Sequence, residues 1–421
     1  MTIETPLAEA LEWLFRTRAP AAVETKAREV MLDTFGCALA AYRHPELGAL
    51  RNALQAADPG SVSSFAAYFA AAACWDEACE GSARAHGRPG IAVLAACGAL
   101  SGRQSYSHGD VVSAYLIGYE VGGRLGESLR IAPGMHVDGA WPAFGVAAAV
   151  VKLLGGSAAQ ALAAVRIAAC QMPYALFLPV AAGANARNTY LSHSAQLGML
   201  AANAALGGIA APEGALEELR SRALGGAPRS APLAPPGEWL IAETYLKPYA
   251  AVRHVHYGAA AAMALRPKLA GRLAGISRIA LSTYGEALVY CGNRAPRSAI
   301  QAQFSLSYGV ACMLATGELA PDSYSSQSLG NPDIRRLEAK TQIAEDVSLT
   351  RAGKRGATLV VECDGDKFEH AVDRVTGDPS MPMTRAGLLA KFVRYSGLAS
   401  GRGEEFLDAP GDGRFVPLSL P

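Results

Sequence analysis

The chain has 421 residues, of which 51% are hydrophobic and 18% are charged, a composition typical of a soluble globular protein with a large buried core. At roughly 150 residues per domain, this length predicts two or three structural units, or one large unit and a smaller one. Because 38 Lys and Arg residues oppose 37 Asp and Glu residues, no overall field attracts the chain to nucleic acid or to a membrane. Anion binding must therefore come from the local placement of Arg, Lys and His.

The N-terminal segment MTIETPLAEALEWLF carries acidic residues where a secretory signal would be positively charged. No apolar run reaches the ~18 residues that a membrane-spanning helix needs. We therefore expect a cytoplasmic protein that has neither a membrane nor a nucleic acid as its partner. The eight cysteines are scattered through apolar segments of the sequence and form no CxxC pair. They are expected to be reduced and buried, so neither a disulfide framework nor a zinc site is predicted.

Helical periodicity dominates the chain from its start to about residue 245. The segment VVSAYLIGYEVGGRLGESL contains small residues that would let a neighbouring helix approach closely. Ser157 and Gln160 have the spacing of a capping box, so another helix is predicted to begin there. Only short Gly and Pro interruptions separate these segments, which predicts a large all-helical domain over residues 1–245. The buried stripe of the first segment is predicted to be Val111, Tyr115, Gly118, Val121, Gly122 and Leu125.

The part of the sequence with helical periodicity ends at a Pro-rich stretch, GGAPRSAPLAPPGEW at 225–239. Beyond it, ISRIALSTYGEALVY and GATLVVECDGDKFEHAV alternate and contain β-branched residues, and CDGDK is typical of a hairpin turn. Helices are predicted between them, in YGAAAAMALRPKLAG and AIQAQFSLSYGVACMLATGEL. We therefore predict a smaller α+β domain over residues 246–385. Residues 386–421 again have a helical pattern and are predicted to rejoin the first domain. The expected fold class is mostly α with an α+β part.

His136 and Asp138 lie two residues apart in the Gly-rich loop GMHVDGAW. In an extended segment, side chains at this spacing point to the same side, so the carboxylate could fix the tautomer of a catalytic histidine. Alternatively, His136 is a loop residue that bonds backbone groups where a helix begins. The residue pattern by itself leaves both interpretations open.

Two further clusters have the same ambiguity. Asp76 and Glu77 are either an acid/base pair or a solvated helix face, and at most one should face a site because adjacent helical residues point about 100° apart. On spacing alone, the solvated face is favoured. Arg187, followed by Asn188, either binds a carboxylate in bidentate geometry or caps a helix.

The segment KPYAAVRHVHYG contains Arg253, His254 and His256, which could bind an anion or a metal. HVH without a nearby acidic ligand is a weak metal motif, so no metal is expected. Tyr308 stands in an apolar helix, where a core tyrosine is the default. The chain contains no phosphate loop, no GxGxxG after a strand, no GxSxG and no HExxH, which disfavours nucleotide cofactors, α/β-hydrolase chemistry and zinc protease chemistry.

Taken in order along the chain, these blocks resemble the MmgE/PrpD family, which includes 2-methylcitrate dehydratases, cis-aconitate decarboxylases and iminodisuccinate epimerases. The resemblance covers nearly the whole chain. It implies a homodimer of two-domain subunits, in which residues 246–385 form an α+β lid and the active site lies between the two domains. The matching blocks are KAREVMLDTFGCALAA, YLIGYEVGGRLGESL, GMHVDGAWPAFGVAAAVVKLLG, GANARN, RHVHYGAAAA, AQFSLSYGVACML and GDPSMPMTRAGLLAKF.

The resemblance also implies chemistry on small di- and tricarboxylates without a cofactor. A proton next to a carboxylate is removed or added, and then water is lost, CO2 is lost or a centre is inverted. By position, His136 matches the family's site histidine, His256 its lid histidine and Tyr308 its site tyrosine; with Asp76 they form the predicted catalytic set. The predicted substrate-binding residues are Arg187, Arg253, His254, His86, Arg88, Asp138 and Glu77.

Two blocks depart from the family pattern. The block A-H-x-x-D-F-D-D falls on residues 70–77, where Ala71 replaces the histidine and Cys74 replaces the first aspartate. The block TKPxHxG falls on FLPVAAG, where Leu178 and Ala181 replace the lysine and the histidine. Since the lost groups resemble a carboxylate clamp, we expect a substrate with fewer or differently placed carboxyl groups and a hydrophobic arm.

The leading prediction is a cofactor-independent carbon–oxygen lyase of the dehydratase type. An epimerase or decarboxylase of the same family is the first alternative. A dimeric, non-catalytic family member that binds carboxylates without turning them over is the second, and a metal-dependent hydrolase ranks below both. The expected partners are a small carboxylate substrate and a second copy of the chain.

Overall fold

The computed structural model of the chain describes residues 3–224 and 231–418. The Pro-rich stretch predicted at 225–239 falls partly outside this range, because its residues 225–230 are not among those described. Residues 231–239, which are described, form neither helix nor strand.

The first part of the chain is almost entirely helical, as the periodicity predicts. Most of its helices are joined by short loops, so successive helices pack against one another around a shared apolar core. The helices are α1 Glu4–Arg16, α2 Ala21–Ala41, α3 Pro45–Ala57, α4 Val62–Trp75, α5 Gly90–Ser101, α6 His108–Ser128, α7 Pro142–Leu153, α8 Ala158–Ala169, α9 Leu178–Ala182, α10 Tyr190–Leu206 and α11 Ala215–Glu218.

The second part combines helices with a small sheet, which confirms the expected fold class of mostly α with an α+β part. Its helices are α12 Val255–Leu265, α13 Gly285–Cys291, α14 Ala299–Gln303, α15 Leu306–Thr316, α16 Ser326–Leu329, α17 Pro332–Lys340, α18 Val347–Arg351, α19 Arg385–Ser396 and α20 Ser400–Leu407. The strands of the described chain are β1 Gly81–Ser82, β2 Thr244–Tyr245, β3 Ile276–Thr283, β4 Thr341–Glu345, β5 Ala357–Cys363 and β6 Asp366–Val372.

Helix α6 runs through the centre of the helical part, and every residue of its predicted stripe is buried. It crosses α7 where Gly118 faces Gly145. A Cβ on Gly145 would lie 2.4 Å from the Gly118 carbonyl oxygen, and a Cβ on Gly118 would lie 2.7 Å from the Gly145 carbonyl oxygen. The backbones can approach this closely only because neither residue has a side chain, which confirms the predicted role of the small residues.

The predicted capping box at the start of α8 is also confirmed. Ser157 Oγ accepts a hydrogen bond from the Gln160 N–H at 3.2 Å, and Gln160 Oε1 accepts one from the Ser157 N–H at 2.9 Å. Two of the N–H groups at this helix end therefore have partners within the same turn.

The sheet of the second part has the strand order β4-β3-β5-β6, with β3 parallel to β4 and antiparallel to β5, and β5 antiparallel to β6. Alternate residues of β5 are buried, which fits a strand with one face on the core. The predicted CDGDK hairpin turn joins β5 to β6. Its central residues Asp364 and Gly365 have φ values of 49° and 86°, the left-handed conformation that such a turn requires.

The structure differs from the sequence-based expectation in one predicted strand and contains three strands that were not predicted. In ISRIALSTYGEALVY only Ile276–Thr283 is a strand, because Gly285–Cys291 forms α13 and buries Ala287 and Cys291, one helical turn apart. Strand β4 has no apolar alternation to reveal it, since most of its residues are exposed. The β1–β2 ladder pairs two residues with two, which is too short to give a periodic signal.

Helix α19 returns to the helical part and packs on α2. Lys391 Nζ donates hydrogen bonds to Asp33 Oδ1 at 2.6 Å and to the Ala78 carbonyl oxygen at 2.8 Å. A Cβ on Gly36 would lie 3.3 Å from the Phe392 ring, so the two helices are in close contact. The division into domains at residues 245 and 385 stays a prediction.

All eight cysteines are free thiols. Seven are buried, as expected, but the expectation is wrong for Cys170, which is exposed. This residue caps the C-terminal end of α8, where the chain leaves the packed helix bundle.

The α6–α7 crossing generates a stability prediction. Gly145→Ala should destabilise the protein by roughly 1–3 kcal/mol, because the new Cβ meets a backbone carbonyl that cannot turn aside. Gly98→Ala in α5 is the matched control, since a Cβ there meets nothing within 4 Å. Urea denaturation of both variants checks the difference, and equal stability of the two would contradict the close crossing.

Candidate functional site

Five buried charged side chains meet where several helices begin or end, and we call them the buried ion cluster: Glu77, Arg88, Asp138, Arg187 and Lys247. Glu77 follows α4, Arg88 precedes α5, Asp138 precedes α7, Arg187 precedes α10 and Lys247 follows β2. Four of the five therefore stand at a helix end, and all are at most 5% exposed. Residues far apart in sequence become neighbours because these chain ends converge.

Glu77 is the hub of the buried ion cluster. Its carboxylate pairs with Arg187 Nη2, with Arg88 Nη1 at 3.1 Å and with Lys247 Nζ at 2.6 Å. Burial alone would raise the pKa of this carboxyl, but the charges of Arg187, Arg88 and Lys247 hold the pKa well below its usual range. Glu77 is therefore ionised, and it binds cations from three separate segments.

The backbone of Glu77 has a φ of 53°, in the left-handed region that is unfavourable for a residue with a side chain. Such a conformation costs about 1–3 kcal/mol and persists only where surrounding contacts fix it. Here three cations fix it. The prediction of a solvated helix face at Asp76 and Glu77 is wrong, because both residues are buried.

Asp138 is the second carboxylate of the buried ion cluster. Arg88 donates to it through two nitrogens, Nη2 to Oδ2 and Nε to Oδ1, the latter at 3.4 Å, and Arg187 Nη2 lies 3.9 Å from Oδ2. Burial would raise the pKa of Asp138, but the charge of Arg88 and then that of Arg187 lower it. Asp138 is therefore also ionised.

Cys74 lies between the two arginines. Its Sγ accepts hydrogen bonds from Arg88 Nη2 at 3.1 Å and from Arg187 Nη1 at 3.0 Å. Burial raises the pKa of this thiol despite the nearby positive charges. Cys74 is thus a neutral acceptor at the position where the family resemblance leads one to expect a charged aspartate.

His136 lies directly beside the buried ion cluster and is 7% exposed. Its Nδ1 accepts a hydrogen bond from the Asp138 N–H at 3.2 Å and lies 3.8 Å from Asp138 Oδ2. The ring stacks on Phe177 with centroids 6.1 Å apart and contacts Tyr190 at 5.4 Å. Burial lowers the pKa of His136 to about 4, below the ordinary histidine value of about 6.5. The imidazole is therefore neutral at physiological pH.

The loop that carries His136 is packed against the segment that carries Arg88. Trp141, fully buried at the start of α7, touches that segment at Gly87 and touches α6 at Gly126. A Cβ at either glycine would lie 2.6 or 2.8 Å from the Trp141 ring. These contacts set the distance between the histidine loop and the arginines.

A second group of rings faces His136 from the other part of the chain. His254 Nδ1 lies 2.6 Å from the Tyr284 hydroxyl, and its ring stacks on Tyr290 at 5.8 Å. Tyr290 meets Phe177 edge-on at 5.6 Å. Because Phe177 also stacks on His136, a continuous chain of ring contacts joins His136 to His254.

The pKa values of His254 and of its neighbour His86 are both lowered. Burial, followed by the charge of Arg355, lowers the pKa of His254 to about 3. His86 itself is solvent-exposed in a left-handed conformation with a φ of 53°. Although one side of the ring is open to solvent, the surrounding protein desolvates it in part, and this, followed by the charges of Arg130 and Arg355, lowers the pKa of His86 to about 4. Both histidines are therefore uncharged at neutral pH.

The remaining predicted residues lie outside the buried ion cluster. Asp76 accepts a hydrogen bond from His44 Nε2 at 2.8 Å. Arg253 pairs with Asp378 and lies over the rings of Tyr245 and Tyr257 at about 5 Å. The contact places Arg253 in an aromatic setting rather than with the other arginines.

Two more residues assigned by resemblance are also separate. His256 is fully buried, and its Nε2–H donates to the Ala251 carbonyl oxygen at 3.0 Å. The Tyr308 hydroxyl donates to the Ser323 carbonyl oxygen at 2.5 Å, and Arg335 lies over its ring. The structure therefore brings together five predicted residues, Glu77, Arg88, His136, Asp138 and Arg187. It connects His254 to His136 through a chain of ring contacts and places the other five in separate contacts.

Sequence reasoning missed two members of this region, Lys247 and Cys74. Lys247 is part of the block KPYAAVRHVHYG. Lysine is rarely buried without a partner, so a lysine in a segment predicted to be buried is a signal that could have identified it. For Cys74, the family resemblance indicates only the loss of an aspartate and not a contact with the arginines. Of the other substituted positions, Ala71 is fully buried in α4, whereas Leu178 on α9 is 65% exposed.

A cavity of about 540 Å³ lies elsewhere, between α1, α2 and α6, with Leu14, Arg28 and Trp239 in its wall. None of the residues of the buried ion cluster lines it. Arg28, its inner cation, already donates to the Leu407 and Ala409 carbonyl oxygens. Buried carboxylates and cations that pair with one another converge beside His136, so we place the candidate site at the buried ion cluster.

The fold defines the chain as a mostly helical protein with a smaller α+β part. Family models match both parts: the MmgE/PrpD N-terminal domain matches residues 6–221, and the MmgE/PrpD C-terminal domain matches residues 249–405. The chain therefore belongs to the MmgE/PrpD family, which includes dehydratases, other lyases and epimerases. A search of curated proteins found no match.

In the described part of the chain, no helix is both long and apolar enough to cross a membrane. Over residues 3–224 and 231–418, no group of three or more His, Cys, Asp or Glu side chains could hold a metal ion. The homodimer and the cytoplasmic location stay predictions.

The ion pairs of Glu77 generate a stability prediction. Glu77→Gln should destabilise the protein by about 3–5 kcal/mol, because it leaves buried cations without their shared partner. The folded-state pKa of Glu77 lies below its ordinary value of 4.5, so its stabilisation is complete above that pH and declines as the pH falls below it.

Urea denaturation of wild type and variant over a range of pH measures this difference. It should be constant above about pH 5 and shrink below pH 4.5. The control is Glu12→Gln, which removes an exposed pair with Arg16 and should change stability by less than about 1 kcal/mol. A difference that grows as the pH falls would contradict the assignment.

Proposed function

We propose that the protein is a cofactor-independent lyase of the dehydratase type, which removes a proton next to a carboxylate of a small hydroxy acid. The observation that carries the proposal is His136, a neutral imidazole directly beside the buried ion cluster. Family membership supports it, because dehydratases and related lyases belong to the family. The neutral form of histidine is the one that can accept a proton.

His136 requires a defined tautomer to act as a base through Nε2. In that tautomer the proton resides on Nδ1, which must give up the hydrogen bond that it accepts from the Asp138 N–H and donate instead to Asp138 Oδ2, 3.8 Å away. Catalytic hydrogen bonds are often long without substrate and tighten in the complex, so a small rotation of the ring would complete this contact. Asp138 is then a positioning residue for His136.

The cations of the buried ion cluster would stabilise the negative charge that develops when the proton leaves. Arg88, Arg187 and Lys247 are already held in place by Glu77 and Asp138, so they need not reorganise during the reaction. Their burial strengthens each interaction, because little water is present to screen the charges.

The proposed reaction balances as follows. The carbon next to the carboxylate loses a proton to His136, and the electron pair of that C–H bond forms a C=C bond as the neighbouring C–O bond breaks. The imidazolium returns its proton to the departing hydroxide, so that water leaves and His136 is neutral again. Return of the proton to carbon instead gives exchange or epimerisation, and loss of CO2 gives decarboxylation.

The role of His136 is tested by removing the base. Purified wild type is incubated in D2O with a panel of small 3-hydroxy acids, and NMR follows both deuterium uptake next to the carboxylate and alkene formation. His136→Gln should lower the rate at least about 100-fold, the usual contribution of general base catalysis. His193→Gln, which changes an exposed histidine on α10, is the control and should retain activity.

Undiminished exchange in His136→Gln would contradict the assignment. Exchange without alkene or CO2 in the wild type would favour the epimerase. Binding without exchange would favour the non-catalytic family member, so the three functions give different results in one experiment.

The lowered pKa of His136 predicts the pH dependence. The acid limb of kcat/KM, which reports the free enzyme, should lie near pH 4 rather than near 6.5. A bound substrate carboxylate places a negative charge near the ring and raises its pKa, so the acid limb of kcat should lie at higher pH than that of kcat/KM. Initial rates from pH 3.5 to 8 check the order, and coincident limbs near pH 6.5 would contradict it.

A further inference from the structure

The buried ion cluster contains three cations and two ionised carboxylates, so its net charge is a single positive charge. Two groups that contact the cluster, Cys74 and His136, add nothing to this count at neutral pH. Burial keeps the Cys74 thiol protonated and the His136 ring neutral. The charge available to attract an anionic substrate is therefore smaller than the number of arginines and lysines suggests.

Asp138 already occupies the position at which Arg88 could bind a substrate carboxylate. Two guanidinium nitrogens of Arg88, Nη2 and Nε, point to the two carboxylate oxygens of Asp138. This is the paired geometry through which arginine recognises a carboxylate of a ligand. Asp138 is 1% exposed, and its own backbone N–H bonds to His136 Nδ1, so the carboxylate is fixed beside the base.

Two cations of the buried ion cluster each keep one N–H donor that the cluster does not use. Arg187 Nε is buried and has no hydrogen-bond partner among the described residues. Lys247 Nζ donates to the Glu77 carbonyl oxygen at 3.0 Å and to Glu77 Oε1 at 2.6 Å. An ammonium group has three N–H donors, so in the described part of the chain one of them is left over.

We propose that Asp138 is a specificity-determining residue that takes the place of a second substrate carboxylate, so that the site accepts a hydroxy acid with one carboxylate. The inference rests on the proposed function, since it concerns the substrate of the same site. A monocarboxylate neutralises the single positive charge of the buried ion cluster. A dicarboxylate would add an excess negative charge in a buried site, where it has no partner and lies close to Asp138.

The test uses two acids that differ only at the tested position. 3-Hydroxybutanoate has a methyl group where malate has its second carboxylate, and both have a hydroxyl group and a proton arranged for loss of water. Isothermal titration calorimetry at pH 7.5 gives the Kd of each. The wild type should bind 3-hydroxybutanoate at least about tenfold more tightly than malate, since like charges brought together in a binding site are strongly unfavourable.

Asp138→Asn should reverse this preference. The amide keeps the size of the side chain and leaves the backbone N–H that donates to His136 Nδ1, but it removes the negative charge that pairs with Arg88 and so frees Arg88 for malate. We expect the ratio of the two Kd values to shift at least about tenfold towards malate. If this variant does not fold, Asp138→Ser takes its place, and the preference of the wild type is a test that needs no variant.

Two controls separate charge from general damage. Asp138→Glu keeps the negative charge and should keep the preference for 3-hydroxybutanoate. Glu120→Gln removes a buried carboxylate that pairs with Arg124 within α6, outside the buried ion cluster, and should leave the ratio unchanged. A shift in Glu120→Gln equal to that in Asp138→Asn would overturn the proposal.

The binding data also distinguish this inference from the proposed function. Binding that follows the charge of residue 138, without turnover of either acid, supports the specificity role and contradicts the lyase. Turnover with the same acid preference in wild type and Asp138→Asn supports the lyase and overturns the specificity role. Equal or tighter binding of malate by the wild type, or failure of both acids to bind, also overturns it.

Discussion

The contact of Glu77 with three cations is the interaction on which the candidate site depends. Arg88 and Arg187 come from the helical part and Lys247 from the segment after β2, so one carboxylate ties three chain segments together. Its backbone is held in a left-handed conformation, which isolated chain would avoid. Because the arginines are fixed through Glu77, their remaining nitrogens point to Asp138 and Cys74 in defined directions.

Close backbone packing places the histidine at this cluster. The α6–α7 crossing at Gly118 and Gly145 lets the start of α7 approach the core, and Trp141 there packs on Gly87. His136 precedes this tryptophan by five residues, so the loop has little freedom to move away. Contacts between residues that take no part in the reaction thus determine the distance between the base and the arginines. This is usual where a rigid scaffold carries a functional loop.

Burial and the nearby charges together determine the protonation state of each ionisable group at the candidate site. Burial keeps His136 and Cys74 neutral because no opposite charge overcomes their desolvation, whereas Glu77 and Asp138 stay ionised because arginine and lysine charges outweigh the same effect. Buried ion pairs contribute little net stability compared with a well-packed apolar core, although breaking one is costly. Their retention here is consistent with a role in binding an acid, since a purely structural core would not need them.

The sequence by itself determined the helical architecture, the capping box of α8, the β5–β6 hairpin and the family, because each depends on local spacing or on ordered blocks of residues. It also identified His136, Asp138, Glu77, Arg88 and Arg187 as candidates. Only the tertiary structure decided which candidates meet, that Lys247 joins them, and that Asp76, His256 and Tyr308 lie in separate contacts. The physical reason is that pairing and burial of charges arise between chain segments that are distant in sequence, and periodicity carries no information about such contacts.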